Sequence, residues 1–150
     1  MQDNVVIFPK ADGVRIMPVL PEQVEEYIDV GMDLLRPAIE RQSMNVTEDV
    51  IAKEIRDGQS LLWLVYIGDT LTAAITTAVI THPRRSVLKI EFLGGTRMSE
   101  WAEPATDFLA EMARKAGLSA LEADARKGFE KMAGGSRFKP ITTNYVMELG

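Results

Sequence analysis

The sequence predicts one α/β (α+β) domain in which helices flank a central, mostly antiparallel sheet. Three strand-length apolar runs follow one another in the middle of the chain, at 60–67, 70–81 and 87–93, and turn signals separate them. A long amphipathic helix pattern comes next and ends at Gly117. The chain has 150 residues, of which 46% are apolar and 26% charged, which is the size and composition of one ordinary globular domain.

The composition disfavours several classes of protein. There is no cysteine and only one histidine, so disulfides are excluded and a metal site or a Ser-His-Asp triad is not expected. No apolar stretch approaches the ~18 residues of a membrane span, and the first residues lack a signal-peptide pattern. A net charge of −5 disfavours nonspecific nucleic-acid binding, which depends on clustered Lys and Arg. We therefore expect a cytoplasmic protein with no metal, no nucleic-acid partner and no membrane partner.

The chain is predicted to begin with a short appendage. Residues 1–12 contain the apolar run VVIF and are predicted to form an N-terminal arm or edge strand. The main domain is predicted over 13–150. Its first strand is expected at residues 14–19, an apolar run that ends near a proline.

Two helices are predicted after this first strand. Pro21 suits the first turn of a helix, because the missing N–H would have no partner there. Gly31 and Pro37 are expected to kink or split this helix. A second, short helix is predicted between Thr47, a good N-cap, and Gly58, which suits the position after a helix end.

Turn and helix signals divide the rest of the chain. Gly68-Asp69 predicts a two-residue hairpin turn between the first two strands of the meander. The helix after the meander has its apolar side chains on one stripe: Trp101, Ala105, Phe108, Leu109, Met112, Ala113 and Ala116. Beyond it, we expect a strand at 118–123, a short helix at 126–133 and a closing strand at 141–149.

The resulting order, β-α-α-β-β-β-α-β-α-β, resembles the fold of the GCN5-related N-acetyltransferases (GNAT) over the whole chain after residue 13. The local stretches that are similar to the family are VRIMPVLPEQVEEYIDV, LLWLVYIGDTLTAAITTAVI, the helix end Ala116-Gly117 before LSALEA, and GFEKMAGGSRFKP. The resemblance is to a divergent member. It implies a mixed, mostly antiparallel central sheet, acetyl-CoA as cofactor, and acyl transfer to an amine or protein acceptor.

The resemblance places the family's cofactor loop, R/Q-x-x-G-x-G/A, on residues 97–102, whose sequence is RMSEWA. Arg97 and Ala102 match the pattern, whereas Glu100 stands where the family has its middle glycine. In the family, glycines and free N–H groups at a helix tip bind the pyrophosphate, and a carboxylate there repels it. The alternative is a helix start that satisfies its own donors, with Ser99 as N-cap.

The other implied cofactor contacts lie around this loop. They are Phe92, Leu93, Gly94 and Gly95 before it and Trp101 within it. The pantetheine arm of the cofactor is expected between residues 90–94 and 118–122, and Gly94-Gly95 can supply flexible N–H groups. Trp101 also lies on the apolar helix stripe, which is typical of a core residue.

Direct acyl transfer needs a base for the incoming ammonium and an acid for the departing thiolate. The resemblance implies Glu91 as the base, and the alternative is a solvated strand residue. The family's tyrosine acid aligns with Phe129, which has no proton to donate. Tyr145 in the predicted closing strand is then the candidate acid, and the alternative is a packing residue.

Two functions therefore remain open. The first is an acetyl-CoA-dependent N-acyltransferase that acts on a primary amine. The second is a GNAT scaffold without catalysis that serves as a binding or assembly module, which Glu100 and Phe129 favour. Members of this second kind resemble small proteins of tailed bacteriophages and prophages, and a phage-encoded protein would lie in the host cytoplasm or the virion. Its VVIF arm would add a strand to another protomer's sheet and give a homo-oligomer.

Overall fold

The structure is a computed structural model that describes residues 13–132, 135 and 137–150. The predicted arm over 1–12 lies outside the described residues. In chain order the elements are β1 (Val14–Pro18), α1 (Val24–Glu40), α2 (Glu48–Arg56), β2 (Leu61–Ile67), β3 (Thr70–Thr81), β4 (Ser86–Gly95), α3 (Met98–Lys115) and β5 (Leu121–Ala123). Short 3-10 turns at Pro21–Gln23 and Phe129–Lys131 precede α1 and follow β5.

The five strands form one mixed sheet in the order β1-β2-β3-β4-β5. The first four strands are antiparallel neighbours, and β5 runs parallel to β4. Helices flank the sheet on both faces, so the fold class predicted from the sequence is confirmed.

Each face of the sheet has its own apolar core. The core under α1 and α2 includes Ile28, Leu35, Ile51, Leu62, Leu64 and Phe92. The core under α3 includes Trp63, Val65, Ile75, Ile90, Trp101, Phe108 and Leu109. Alternation along β2 produces this division, because successive side chains of a strand point to opposite faces. In the second core the Trp63 and Phe108 rings pack edge to face, with their centroids 5.2 Å apart.

Gly31 and Pro37 do not split α1, because Val24–Glu40 is one continuous helix. Gly31 instead allows close packing on the sheet, since a Cβ there would lie 2.8 Å from the Leu62 side chain. Pro37 lies near the end of the helix, where its missing N–H removes a single hydrogen bond. The second helix agrees with its prediction, and its N-cap Thr47 accepts a hydrogen bond from the Val50 N–H at 3.4 Å.

The last part of the chain differs from its prediction. The expected helix at 126–133 is reduced to the 3-10 turn Phe129–Lys131, which begins after Gly128 in a left-handed conformation. The expected strand at 141–149 does not form, and these residues are exposed and without regular secondary structure. A strand requires a neighbour for its N–H and C=O groups, and none lies beside this segment among the described residues. None of the helices over the described ranges is long and apolar enough to cross a bilayer.

Candidate functional site

The site predicted on the third strand of the meander is centred on a β-bulge. In the register of β3 and β4, Thr76 is opposite Phe92 and Thr77 is opposite Ile90, so Glu91 is the extra residue. The Phe92 N–H donates a 3.2 Å hydrogen bond to the Thr76 hydroxyl, which stabilises the irregular backbone. A bulge of this kind redirects a side chain locally, and in this strand it sets the direction of the Glu91 carboxylate.

The Glu91 carboxylate is held in place by Ser60. The hydroxyl of Ser60 donates a 2.7 Å hydrogen bond to Glu91 Oε1, and Ser60 itself is buried just before β2. Glu91 is partly buried, so the carboxylate is positioned by the protein and remains accessible to solvent. Sequence reasoning did not find Ser60, because it lies 31 residues from Glu91 and only the folded sheet brings the two together.

An opening lies beside the bulge. β5 pairs with β4 only from Leu88–Ile90 to Leu121–Ala123, whereas β4 continues to Gly95. The edge of β4 that faces away from β3 therefore has no strand neighbour over residues 91–95, within the ranges that the structure describes. The family resemblance implies this opening between 90–94 and 118–122, but Ile90, Leu121 and Glu122 are paired, so it begins only after Ile90 and Ala123.

Gly94 and Gly95 are required for packing. A Cβ at Gly94 would lie 2.4 Å from the Leu34 carbonyl oxygen of α1, and a Cβ at Gly95 would lie 2.3 Å from the Thr72 carbonyl oxygen of β3. Gly95 also has a φ of +142°, which other residues rarely adopt. Phe92 is buried in the core under α1, and Leu93 faces the α3 side of the sheet. A ligand beside β4 would therefore meet the backbone of these residues.

The helix predicted to carry the cofactor loop begins one residue after Arg97. Arg97 is the N-cap of α3 and makes no side-chain capping bond, so the expectation that Ser99 caps the helix is wrong. Arg97 adopts a left-handed conformation with φ 60° and ψ 34°, and no other non-glycine residue over the described ranges has a positive φ. Such a conformation is unfavourable for a side chain longer than that of glycine, so the surrounding fold must maintain it.

Arg97 and Glu100 form a two-bond ion pair at this helix tip. Arg97 Nε donates to Glu100 Oε2 at 2.7 Å, and Arg97 Nη2 donates to Glu100 Oε1 at 2.8 Å. These hydrogen bonds lower the pKa of the Glu100 carboxyl and raise the pKa of the Arg97 guanidinium. Arg97, which matches the family's loop pattern, is thus paired with Glu100, which departs from it.

Trp101 and Ala102 belong to the core under α3. Both are buried, and the Trp101 Nε1 donates a 2.8 Å hydrogen bond to the Thr96 carbonyl. They line an apolar cavity of about 20 Å³ between α3 and β4, which is room for one water-sized group. Phe129 and Phe138 line the same cavity and pack edge to face, with ring centroids 5.3 Å apart. The residue at the family's tyrosine position therefore contributes to an apolar wall.

Tyr145 is not packed against the sheet that carries Glu91. Its side chain is 87% exposed, on a segment that forms no strand. Elsewhere, the His82 ring lies 2.9 Å from the Glu122 carboxylate and connects the β3–β4 turn to β5. No group of three or more His, Cys, Asp or Glu side chains suited to a metal ion occurs in the described part of the chain.

The fold is that of the GNAT acetyltransferases. Neither a protein-family model nor a curated protein matches the sequence.

Solved structures with this fold include an aminoglycoside acetyltransferase from an uncultured soil metagenomic sample, in complex with trehalose. It has a TM-score of 0.63 and 11% identity, over 91% of this chain and 97% of the other. A ribosomal-protein-alanine N-acetyltransferase from Brucella melitensis biovar Abortus 2308 has a TM-score of 0.61 and 18% identity, over 91% and 99%. A predicted acetyltransferase from Clostridium acetobutylicum, with acetyl-CoA, has a TM-score of 0.57 and 13% identity, over 91% and 96%. At these identities the likeness establishes the fold alone.

Proposed function

We propose that this chain is an acetyl-CoA-dependent N-acyltransferase that acts on a primary amine and binds its cofactor weakly. The observation that carries the proposal is the β4 bulge, whose extra residue, Glu91, has a carboxylate fixed by Ser60 and lies where the unpaired edge of residues 91–95 begins. A base on a strand whose outer edge, over the described ranges, lacks a strand neighbour suits a reaction that joins an amine to an acyl group on an amide-containing carrier. The three acetyltransferases of similar fold support the same class of reaction.

The residues present fit acetyl-CoA, but they hold its diphosphate end weakly. The outer edge of β4 over 91–95 has no strand neighbour among the described residues, so its N–H and C=O groups that do not bond to β3 can serve an amide-bearing arm. At the start of α3 the Glu100 N–H donates to the Arg97 carbonyl at 2.9 Å, which leaves the N–H groups of Met98 and Ser99 for an anion. Arg97 keeps its Nη1 group for an anion, but its charge is neutralised by the two hydrogen bonds to Glu100.

Acetyl-CoA, when bound, supplies an acyl group activated as a thioester. Glu91 takes a proton from the incoming ammonium, directly or through one water, so that the neutral amine becomes the nucleophile. Ser60 holds the carboxylate in this position through its 2.7 Å hydrogen bond. Tyr145 as general acid remains a proposal that requires the 141–149 segment to fold onto a sheet.

The test combines cofactor binding with turnover. We expect the melting temperature to rise in millimolar acetyl-CoA, and free thiol to be released when a small primary amine is added. Glu91→Gln should leave the thermal shift intact and lower the rate of thiol release by roughly 100-fold, the size expected for loss of a general base. Glu122→Gln removes a comparable strand carboxylate outside the site and should keep the rate.

A failure of both measurements on the unmodified chain removes this proposal. No thermal shift and no thiol release at millimolar cofactor would favour the second candidate, a GNAT scaffold without catalysis that serves as a binding or assembly module. Two observations favour that candidate, namely the Arg97–Glu100 ion pair at the helix tip and the Phe129–Phe138 wall of the cavity. The ion pair uses Arg97 donors that a bound phosphate would need, and Phe129 in the apolar wall stands where the family's tyrosine acid would be.

A further inference from the structure

The edge of β4 that faces away from β3 presents backbone hydrogen-bonding groups beyond the bulge. The N–H groups of Phe92 and Thr96 both donate to β3. Because the N–H groups of an antiparallel strand alternate between its two sides, the N–H of Leu93 lies on the open side. Over residues 91–95 this edge has no strand neighbour within the described part of the chain, so an extended segment can pair with it.

Partly buried apolar side chains border this open edge on its α3 side. Leu93, Met98 and Phe138 pack against the core under α3 without being fully buried. All three also line the apolar cavity of about 20 Å³ between α3 and β4. A strand added at the edge, with its apolar side chains toward α3, would cover these three residues and extend that core.

The chain carries a segment with the pattern of such a strand, residues 141–149 (ITTNYVMEL). Its large apolar side chains are mostly odd-numbered and its polar ones mostly even-numbered: Ile141, Tyr145, Met147 and Leu149 against Thr142, Asn144 and Glu148. This alternation predicts a strand that is half-buried on a core. In the structure the four odd-numbered apolar side chains are instead between 78% and 92% exposed, which is a contiguous apolar surface of the kind that marks an interaction site.

The start of this segment is held close to the open edge of β4. Phe138 lines the same cavity as Leu93. Ile141 follows Phe138 by three residues, which span at most about 10 Å of extended chain. Pro140 fixes its own φ and favours an extended conformation at Lys139. The segment can therefore reach the edge in its own chain, and its effective concentration there is on the order of millimolar.

We infer that residues 141–149 pair as an added strand with the open edge of β4 in the same chain, with their apolar face toward α3. The same chain is the partner because the short tether outweighs the micromolar concentration at which a second copy would compete. Main-chain hydrogen bonds hold the segment, and the apolar side chains beside the cavity select the face that it presents.

The paired segment would compete with the cofactor. Under the function proposed above, acetyl-CoA uses the same edge of β4 for its amide-bearing arm, so the segment and the cofactor exclude each other. This consequence rests on the proposed function, whereas the pairing itself does not. In the paired state Tyr145 cannot act as general acid, because no acyl donor is bound.

The test compares two double variants that add the same charge to opposite faces of the segment. Tyr145→Lys with Leu149→Lys alters the apolar face, and Thr142→Lys with Asn144→Lys alters the polar face. Hydrogen exchange of the Leu93 amide should be roughly tenfold slower in the unmodified chain than in the apolar-face variant. The polar-face variant should stay within roughly threefold of the unmodified chain. The protection should be equal at about 1 and 100 μM protein, because the pairing lies within one chain.

Calorimetry with acetyl-CoA tests the competition. The dissociation constant should fall by roughly tenfold in the apolar-face variant, because the cofactor no longer has to displace the segment. The polar-face variant carries the same added charge and should keep the dissociation constant of the unmodified chain, which separates displacement from attraction between lysine and phosphate. Equal urea midpoints for the two double variants show that neither has lost its fold.

Three results overturn the inference: a Leu93 amide that exchanges equally fast in all three chains, protection that both variants lose equally, and protection that appears only at high protein concentration. Failure of the proposed function looks different, because then no chain binds acetyl-CoA although Leu93 is protected wherever the apolar face is intact. The same protection with equal dissociation constants in all three chains supports the pairing and removes only the competition.

Discussion

At the scale of single residues, the decisive contact is between Arg97 and Glu100. The two charges lie three positions apart at the start of α3, so their side chains share one face of the helix. This spacing is visible in the sequence, and it predicts repulsion of a phosphate by Glu100. The structure adds that Glu100 also occupies Nε and one N–H of Nη2 of Arg97, two of the five N–H donors with which the guanidinium would bind an anion. Glu100, in place of the family's glycine, therefore weakens phosphate binding in two ways: it repels the phosphate and it engages Arg97.

Glu100→Gly should strengthen binding of acetyl-CoA. It removes a negative charge near the phosphate position and frees Arg97, and one like charge at about 4 Å costs ~1 kcal/mol even in water. We expect the dissociation constant measured by calorimetry to fall by roughly tenfold or more. Glu103→Gly is the matched control, because it makes the same backbone change in α3 one turn later, at an exposed position. If both variants bind alike, the ion pair does not control the affinity.

At the scale of elements, strong local patterns predicted most of the fold. The apolar runs and the Gly68-Asp69 turn located β2 and β3, and Thr47 located the start of α2. In these elements the conformations that the local residues prefer also bury their apolar side chains in the core. The continuity of α1 was not predictable, because Gly31 is accommodated by a long-range contact with Leu62. The segment 141–149 has the sequence pattern of a strand but forms none. A strand needs a neighbouring strand to pair with, and the sequence pattern does not specify one.

The same reasoning explains how much of the candidate site the sequence predicted. Glu91 and the loop at 97–102 are candidates through the family resemblance, which was aligned along the chain on recognisable strands and helices. The hydrogen bond from Ser60 and the wall formed by Phe129 and Phe138 depend on distant parts of the chain meeting, so no local signal exists for them. The secondary structure of an element depends largely on residues close together in the sequence. The surroundings of a functional side chain depend on residues that are far apart in the sequence.

Gly94→Ala should destabilise the protein more than Gly31→Ala. Both glycines lie where α1 packs on the sheet, but a Cβ at Gly94 meets backbone, the Leu34 carbonyl oxygen at 2.4 Å. A Cβ at Gly31 meets the end of the Leu62 side chain at 2.8 Å, which can rotate away. Alanine also favours a helix over glycine by about 1 kcal/mol, which offsets part of the cost at Gly31.

The free energy of unfolding in urea measures this difference. We expect a loss of about 1–3 kcal/mol for Gly94→Ala, the range for an overpacked core, and a smaller loss for Gly31→Ala. Equal losses would mean that α1 shifts as easily at its contact with β4 as at its contact with β2. In that case the backbone of Leu34 would not be the reason why β4 requires glycine at position 94.

At the scale of the whole molecule, charged pairs hold helical segments on both sides of the sheet. On one side Arg36 joins α1 to α2, with Nε 2.8 Å from Glu48 Oε2 and Nη1 2.9 Å from Asp33 Oδ1. On the other side Arg97 holds Glu100 at the start of α3. Hydrogen bonds from the two arginines lower the pKa of Glu48 and of Glu100, and the nearby charge of Asp33 opposes part of the shift at Glu48.

These shifts predict a loss of stability in acid. Because the folded pKa of each carboxyl lies below its usual value of 4.5, the unfolded chain binds more protons as the pH falls. The contribution of both pairs is therefore complete above about pH 4.5 and disappears as the pH falls through the lower folded pKa. Urea unfolding at a series of pH values from 7 to 3 measures it. Replacing Arg36 and Arg97 with Gln should make the acid-side slope shallower, whereas Arg114→Gln, at an exposed pair with Glu111, should leave it unchanged. An identical slope in the double variant and the unmodified chain would assign the acid sensitivity to other carboxyls.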